Sequence, residues 1–246
     1  MPAQPEIRIL DTPAALFQAA ASEFAALAVQ AVQRSGRFTV ALSGGSTPKS
    51  LYSLLASGSV PDIPWKQTYF FFGDERHVPP DDPESNYRMV RESGLLSKVP
   101  DGNVLRVLAE NKDADRAALG YEQTLRQFFS VKAGEFPRFD LVLLGLGPDG
   151  HTASLFPGTA ALGENTRLVV ANWVEKFATY RITFTLPVLN SAACDTFLVC
   201  GAEKASMVHE VLENAKANLP SQKVHPADGQ LLWLIDRAAA SALKKP

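Results

Sequence analysis

Apolar residues along this chain recur at two spacings. Near the start, Thr12 and Pro13 offer a helix cap and a first helical residue, and Phe17, Phe24, Leu27 and Ala31 follow at helical spacing. A helix ending at Ser35-Gly36 is predicted. Beyond it, short runs rich in β-branched and aromatic residues predict strands over 38–42, 68–72, 141–144, 168–171, 182–185, 196–200 and 231–235. Helical patterns over 48–56, 85–94, 113–131, 203–213 and 237–243 lie between or after them. The run Val142-Leu143-Leu144 is apolar at successive positions, as in a strand covered on both faces. Such strands alternating with helices predict an α/β fold with a mostly parallel sheet sandwiched by helices. No fixed-period repeat or Gly/Ser linker interrupts the pattern, so residues 1–246 read as a single α/β domain. The proline clusters at 61–64 and 79–83 mark loops inside it, a small inserted lobe being the other reading.

Composition narrows this picture by exclusion. The 24 Lys and Arg nearly balance 26 Asp and Glu, for a net charge of -2, and no basic stripe of the kind a nucleic-acid groove needs is visible. Lys244 and Lys245 read as a solvated tail. Cys194 and Cys200 lack C-x-x-C or zinc spacing and read as buried thiols in a reducing compartment. Glu6, Arg8 and Asp11 interrupt the first twenty residues, which argues against a secretory signal, and no later apolar run is expected to approach the roughly 20 residues of a membrane helix. The expectation is a cytoplasmic chain with neither nucleic acid nor membrane as partner.

Ligands of open parallel sheets bind outside the carboxyl ends of the strands, which directs attention to the strand-to-helix turns. The first reads Ser43-Gly44-Gly45-Ser46-Thr47-Pro48. Glycines permit close backbone approach, and Thr47-Pro48 resembles a cap and first helical residue whose free N–H groups favour phosphate; a plain capped turn is the alternative. The second, Gly73-Asp74-Glu75-Arg76-His77, sets three charges and a histidine after a buried strand, either to handle substrate hydroxyls and protons or as a salt-bridged surface loop. The third runs from Gly145 to Ser154. Gly145, Gly147 and Gly150 match the letters of a dinucleotide fingerprint, but Pro157-Gly158 cuts off the crossover helix it requires. His151 is placed at the start of a short helix, whose positive dipole end favours the neutral imidazole and keeps it available as a base, beside Asp149. The fourth, Gly201-Ala202-Glu203-Lys204, puts a lysine in the first turn of a helix, where an anionic ligand explains it better than helix stability does; Arg181 is a second candidate for the same anion. His209-Glu210 is followed by Glu213 where a zincin needs histidine, and four histidines without ligand spacing imply no metal.

The loop 42–48, the segment 73–79 with downstream Ser85-Asn86-Tyr87, the stretch 145–157 and Arg181-Ile182-Thr183-Phe184-Thr185-Leu186-Pro187 together resemble the 6-phosphogluconolactonase family. The resemblance implies a doubly wound α/β fold shared with sugar-phosphate deaminases and isomerases. It implies hydrolysis of 6-phospho-D-glucono-1,5-lactone to 6-phospho-D-gluconate in the pentose phosphate pathway without a cofactor. The related deaminases carry a glutamate five residues after the histidine, where this chain has Phe156.

From residues and resemblance combined, His151 is expected to act as general base, Asp74 or Asp149 to orient the imidazole or a sugar hydroxyl, and Arg76 to help backbone N–H groups stabilise an oxyanion. Ser43, Gly44, Gly45, Ser46, Thr47 and Lys204 are expected to hold the phosphate, with Arg181 and Asn86 completing the substrate-binding set. The partner is a small phosphorylated sugar lactone, and the chain a monomer or small homo-oligomer. Two other readings stand beside this one: a glucosamine-6-phosphate deaminase/isomerase type of enzyme, and a non-catalytic sugar-phosphate sensor.

Overall fold

Runs of consecutive apolar residues become strands only where helices cover both faces, and the computed structural model, which describes residues 4–60 and 62–244, shows that arrangement. The elements in chain order are β1 (Glu6–Leu10), α1 (Pro13–Ser35), β2 (Phe38–Leu42), α2 (Ser46–Ala56), β3 (Thr68–Phe72), β4 (Asp74–Arg76), α3 (Asn86–Glu92), α4 (Ala114–Phe129), β5 (Leu141–Leu144), β6 (Val169–Val174), β7 (Thr179–Phe184), α5 (Leu186–Leu189), β8 (Cys194–Val199), α6 (Ala205–Glu213) and β9 (Gln230–Asp236). Six strands form a sheet in the order β1-β9-β8-β5-β2-β3, and every neighbouring pair runs parallel. β2, β5 and β8 are buried at every position. From β2 the chain steps outward to β3, then returns to β5 on the other flank and continues to β8 and β9. This is a doubly wound α/β fold whose direction reverses between β2 and β5, the place where such sheets open a crevice.

A second sheet, β4-β7-β6, is antiparallel and joins the first where Gly73 links β3 to β4. β4 was expected to be loop. Its residues Asp74, Glu75 and Arg76 have little strand preference, and they extend because β7, a hundred residues later, pairs with them. α4 packs on this sheet: Tyr121 stacks on Phe184, and its hydroxyl accepts a 2.8 Å hydrogen bond from the Phe72 amide at the end of β3.

α1 starts and stops as expected, with the Thr12 hydroxyl accepting from the Ala15 amide and Gly36 closing the helix at φ 75°. At 23 residues and mean hydropathy 1.4 in its most apolar stretch, it is long and apolar enough to cross a membrane, contrary to the expectation that no run approaches that length. Here Leu16, Ala20, Ala21, Phe24, Ala28 and Ala31 bury one face of it in the core. Three further elements differ from the expected pattern. Residues 6–10 form β1, an edge strand beside β9 whose alternating Glu6 and Arg8 gave no apolar run to notice. Residues 237–243 make turns instead of a helix, because the Asp236 carboxylate takes the Ala239 amide and closes the chain locally. β6 and β7 extend beyond 168–171 and 182–185 to form one hairpin. Of the tail lysines, Lys244 is exposed and Lys245 lies outside the described residues, as does Pro61 of the first proline cluster.

Candidate active site

A cleft of about 240 Å³ opens at the carboxyl ends of β2, β5 and β8, where the strand order reverses. Its walls are the first, third and fourth turns, with Asp74 and Arg76 from β4. Ser43, Gly44, Gly45, Ser46, Thr47, Asp74, Arg76, His151 and Lys204 all line it. Leu146, Ala153 and Cys200, to which the sequence assigned no role in the site, line it too.

One end of the cleft is built by the start of α2. That helix begins at Ser46, two residues before the expected start, with Gly45 as its cap at φ 107° and no side chain bonded to the first amides. The N–H groups of Ser46 and Thr47 are therefore left to a ligand. Inside α2, the buried Tyr52 hydroxyl accepts from the Ser43 amide at 2.9 Å and donates to the Ser43 carbonyl at 2.9 Å, which pins the loop to its own helix. Across the cleft, the Lys204 ammonium donates to the Leu146 carbonyl at 2.9 Å. Lys204 lies at the end of a short turn, Ala202–Lys204, that leads into α6.

The third turn carries the histidine without a helix. Gly147, Pro148, Asp149 and Gly150 make a β-turn, the Gly150 amide donating to the Gly147 carbonyl at 3.1 Å with Gly150 at φ 76°. The chain then doubles back so that the Gly147 amide donates to the His151 carbonyl at 2.8 Å. What flanks His151 is thus a carboxylate, and the helix start expected there is absent. Asp149 Oδ1 is hydrogen-bonded to His151 Nδ1 and also accepts from the His151 amide at 3.3 Å. Nε2 has no protein partner among the described residues, on a ring that lines the cleft. Desolvation pushes the Asp149 carboxyl upward, but the hydrogen bond and charge of His151 outweigh it and the net shift is downward. A cleft thiol is present in Cys200, which is half-buried, contrary to the expectation of two buried thiols. Burial, with Asp236 and Glu203 nearby, pushes it up to about 12, so it stays protonated and is a poor nucleophile near neutrality.

β4 presents Asp74 and Arg76 on alternate positions. Asp74 is held from behind: Ser154 Oγ donates to its Oδ2 at 2.7 Å, and Asn86 Nδ2 to its backbone carbonyl at 2.9 Å. Asn86, expected to bind substrate, is 1% exposed and does not line the cleft. It packs against Gly44 so closely that a Cβ there would lie 2.9 Å from Asn86 Nδ2. Arg76 is tethered by its guanidinium to the Glu84 carbonyl. Glu75, buried between them, accepts from the amides of Asn86 and Tyr87 and fixes the start of α3; burial pushes its carboxyl up against those bonds. His77 bonds the Asn111 carbonyl through Nε2 outside the cleft. Arg181 sits opposite Arg76 across the β4–β7 ladder, is 8% exposed and does not line the cleft. Burial and then Arg76 pull its guanidinium below the usual arginine value, while its face covers Phe177. Among the described residues no cluster of three or more His, Cys, Asp or Glu is placed to hold a metal, and His209 pairs with Glu213 at 2.9 Å on α6.

Residues 11–233 match the family model described as glucosamine-6-phosphate isomerases/6-phosphogluconolactonase. A 6-phosphogluconolactonase of Nostoc is 44% identical over 216 residues, covering 87% of this chain and 88% of its own. One from Synechocystis is 42% identical over 218 residues with the same coverage. The solved 6-phosphogluconolactonase of Trypanosoma cruzi superposes with a TM-score of 0.88 at 31% identity, covering 99% of this chain and 98% of its own.

Proposed function

Because this chain belongs to the glucosamine-6-phosphate isomerase/6-phosphogluconolactonase family, we propose that its cleft hydrolyses 6-phospho-D-glucono-1,5-lactone to 6-phospho-D-gluconate with His151 as general base. It is an enzyme, a hydrolase acting on a lactone. The observation that carries the base assignment is the imidazole itself: Nδ1 is tied to Asp149 and Nε2 is left free on a cleft that ends at a helix N-terminus and a lysine. The cleft is smaller than the roughly 300–1,000 Å³ of drug-sized pockets and its lining is polar, which suits a small phosphorylated sugar.

In this mechanism His151 Nε2 takes a proton from water as the water oxygen attacks the lactone carbonyl carbon, C1. The Asp149 carboxylate holds the tautomer that leaves Nε2 free and stabilises the imidazolium that forms. The oxyanion at C1 is met by amides of the glycine turns and by Arg76, each donor contributing roughly 3–4 kcal/mol. When the bond from C1 to the ring oxygen breaks, that oxygen takes the proton back from Nε2. The sugar leaves as a carboxylic acid that ionises in water. Phosphate stays on the Ser46 and Thr47 amides and Lys204, contacts equal in ground and transition states. Asp74, gripped by Ser154 and Asn86, has the rigidity to orient a sugar hydroxyl.

Phe156 supports hydrolysis over deamination. Where the deaminases carry glutamate, this chain sets a phenyl ring face-on to His151, centroids 4.0 Å apart and planes 27° apart, with no proton to exchange. Incubation with freshly generated 6-phosphogluconolactone should release acid faster than the spontaneous reaction, and glucosamine-6-phosphate should release no ammonia. Ammonia release without acid would reverse the assignment.

A further inference from the structure

We propose that the tip of the β6–β7 hairpin, a surface turn outside every motif that lines the cleft, positions His151 through two side chains, Lys176 and Phe177. This rests on His151 being the base. The hairpin turns through Glu175–Phe177 and then Ala178, a non-glycine residue in the left-handed region at φ 47°. Such a residue persists only where its surroundings over-determine it.

Beside this turn lie Asp149 and Phe156, both in contact with the His151 ring. Lys176 Nζ lies 3.6 Å from Asp149 Oδ2, the oxygen that His151 does not use. Phe177 packs edge-on against Phe156, centroids 5.9 Å and planes 75° apart, and Phe156 in turn stacks on the imidazole. Phe156 is 6% exposed but Phe177 is 46% exposed, with the Arg181 guanidinium 5.3 Å and the Lys176 ammonium 5.5 Å from its ring centre. Phe177 is thus half exposed, and its ring contact is with Phe156. Imidazole rotation about its last side-chain torsion has only a broad preference, and neighbours must therefore fix the ring. Asp149 fixes the Nδ1 edge and Phe156 fixes the face. Lys176 and Phe177 hold those two in turn, one by charge and one by packing. Lys176 is more than half exposed, so its ion pair adds little to stability and its effect falls on the carboxylate's orientation.

The test is a set of surface substitutions, Phe177→Ala, Phe177→Tyr, Lys176→Gln and Lys176→Arg, read by separate kcat and KM and by ¹⁵N NMR of the His151 ring. Phe177→Ala and Lys176→Gln should each lower kcat about threefold to tenfold, leave KM within about twofold, and turn a single imidazole tautomer into a mixture. Phe177→Tyr and Lys176→Arg should restore both readouts. Unchanged kcat with a single tautomer, or a rise in KM at constant kcat, would overturn the proposal, the second because the hairpin would then be touching substrate. If Phe177→Ala fails to fold, Phe156→Leu with the same readouts replaces it. His151→Ala run in parallel separates the two claims: wild-type rate in that variant removes the base assignment, while the tautomer spectra still decide whether the hairpin holds the ring.

Discussion

Gly147 tests the geometry of the base most directly. A Cβ built on Gly147 would lie 2.6 Å from Cγ of the His151 ring and nearer still to Nδ1 and Cε1. Carbon atoms rest at about 3.5 Å or more, so the nearer ring atoms require the imidazole to retreat by more than about 1 Å. The backbone of Gly147 is outside the left-handed region, so alanine adds no strain of its own and the substitution probes space alone. Displacing a reacting group by about 1 Å costs on the order of 100-fold in rate, which is about 2.7 kcal/mol of transition-state stabilisation. Gly147→Ala should therefore lower kcat about 100-fold with KM little changed, because the Ser46 and Thr47 amides that take the phosphate belong to α2, a segment the ring's displacement does not touch. The assay follows acid release from fresh lactone, corrected for the spontaneous reaction, with thermal unfolding measured on the same samples. Gly120→Ala, on the exposed face of α4 with nothing within 4 Å of its Cβ position, controls for the exchange itself. It should keep full activity and gain about 0.5–1 kcal/mol. A Gly147→Ala enzyme that folds and keeps kcat within about threefold would show that the imidazole position is not what limits the reaction.

Lys204→Ala should raise KM while kcat changes little, since phosphate is held alike in ground and transition states; an unaltered KM would remove Lys204 from the anchor. Tyr52→Phe strips the buried Ser43 amide and carbonyl of a common partner, and should cost about 1–3 kcal/mol in a denaturant titration as well as raising KM. Asp195 on β8 is fully buried with neither carboxylate oxygen bonded among the described residues, and burial raises its carboxyl well above the usual value. A raised acid binds its proton more tightly when folded, so its contribution to stability is complete below the unfolded value of about 3.9 and is lost as pH rises above it. Asp195→Asn should therefore raise the melting temperature at pH 7 and give up that advantage near pH 3; equal gains at both pH values would refute the burial argument.

Much of the fold was legible because its signals are local. Consecutive apolar residues in β2, β5 and β8 announce strands covered on both faces, and Thr12, Ser85 and Asp113 mark helix starts by side chains that bond amides three residues on. β4 carried no such signal, because its extended form depends on β7. The end of α2 facing the cleft lies two residues before the start that Thr47-Pro48 suggests, because Gly45 caps it by backbone conformation and no side chain does so.

The sequence by itself determined which turns carry chemistry, since glycines, hydroxyls and charges at strand ends are written contiguously and strand direction sends them all to one edge of the sheet. Only the tertiary structure decided what each residue touches. Both Asp74 and Asp149 were candidates to orient His151, and the turn at Pro148 gave that place to Asp149 while Ser154 and Asn86 took Asp74. Asn86 went behind the cleft because the start of α3 turns it inward, and Arg181, on the same face of the β4–β7 ladder as Arg76, laid its guanidinium over Phe177. Phe156 stacks on the histidine, and Lys176 and Phe177 reach Asp149 and Phe156 from a separate segment. Contacts of that kind join residues far apart in the chain, and no local pattern encodes them, because they exist only after packing has brought the segments together.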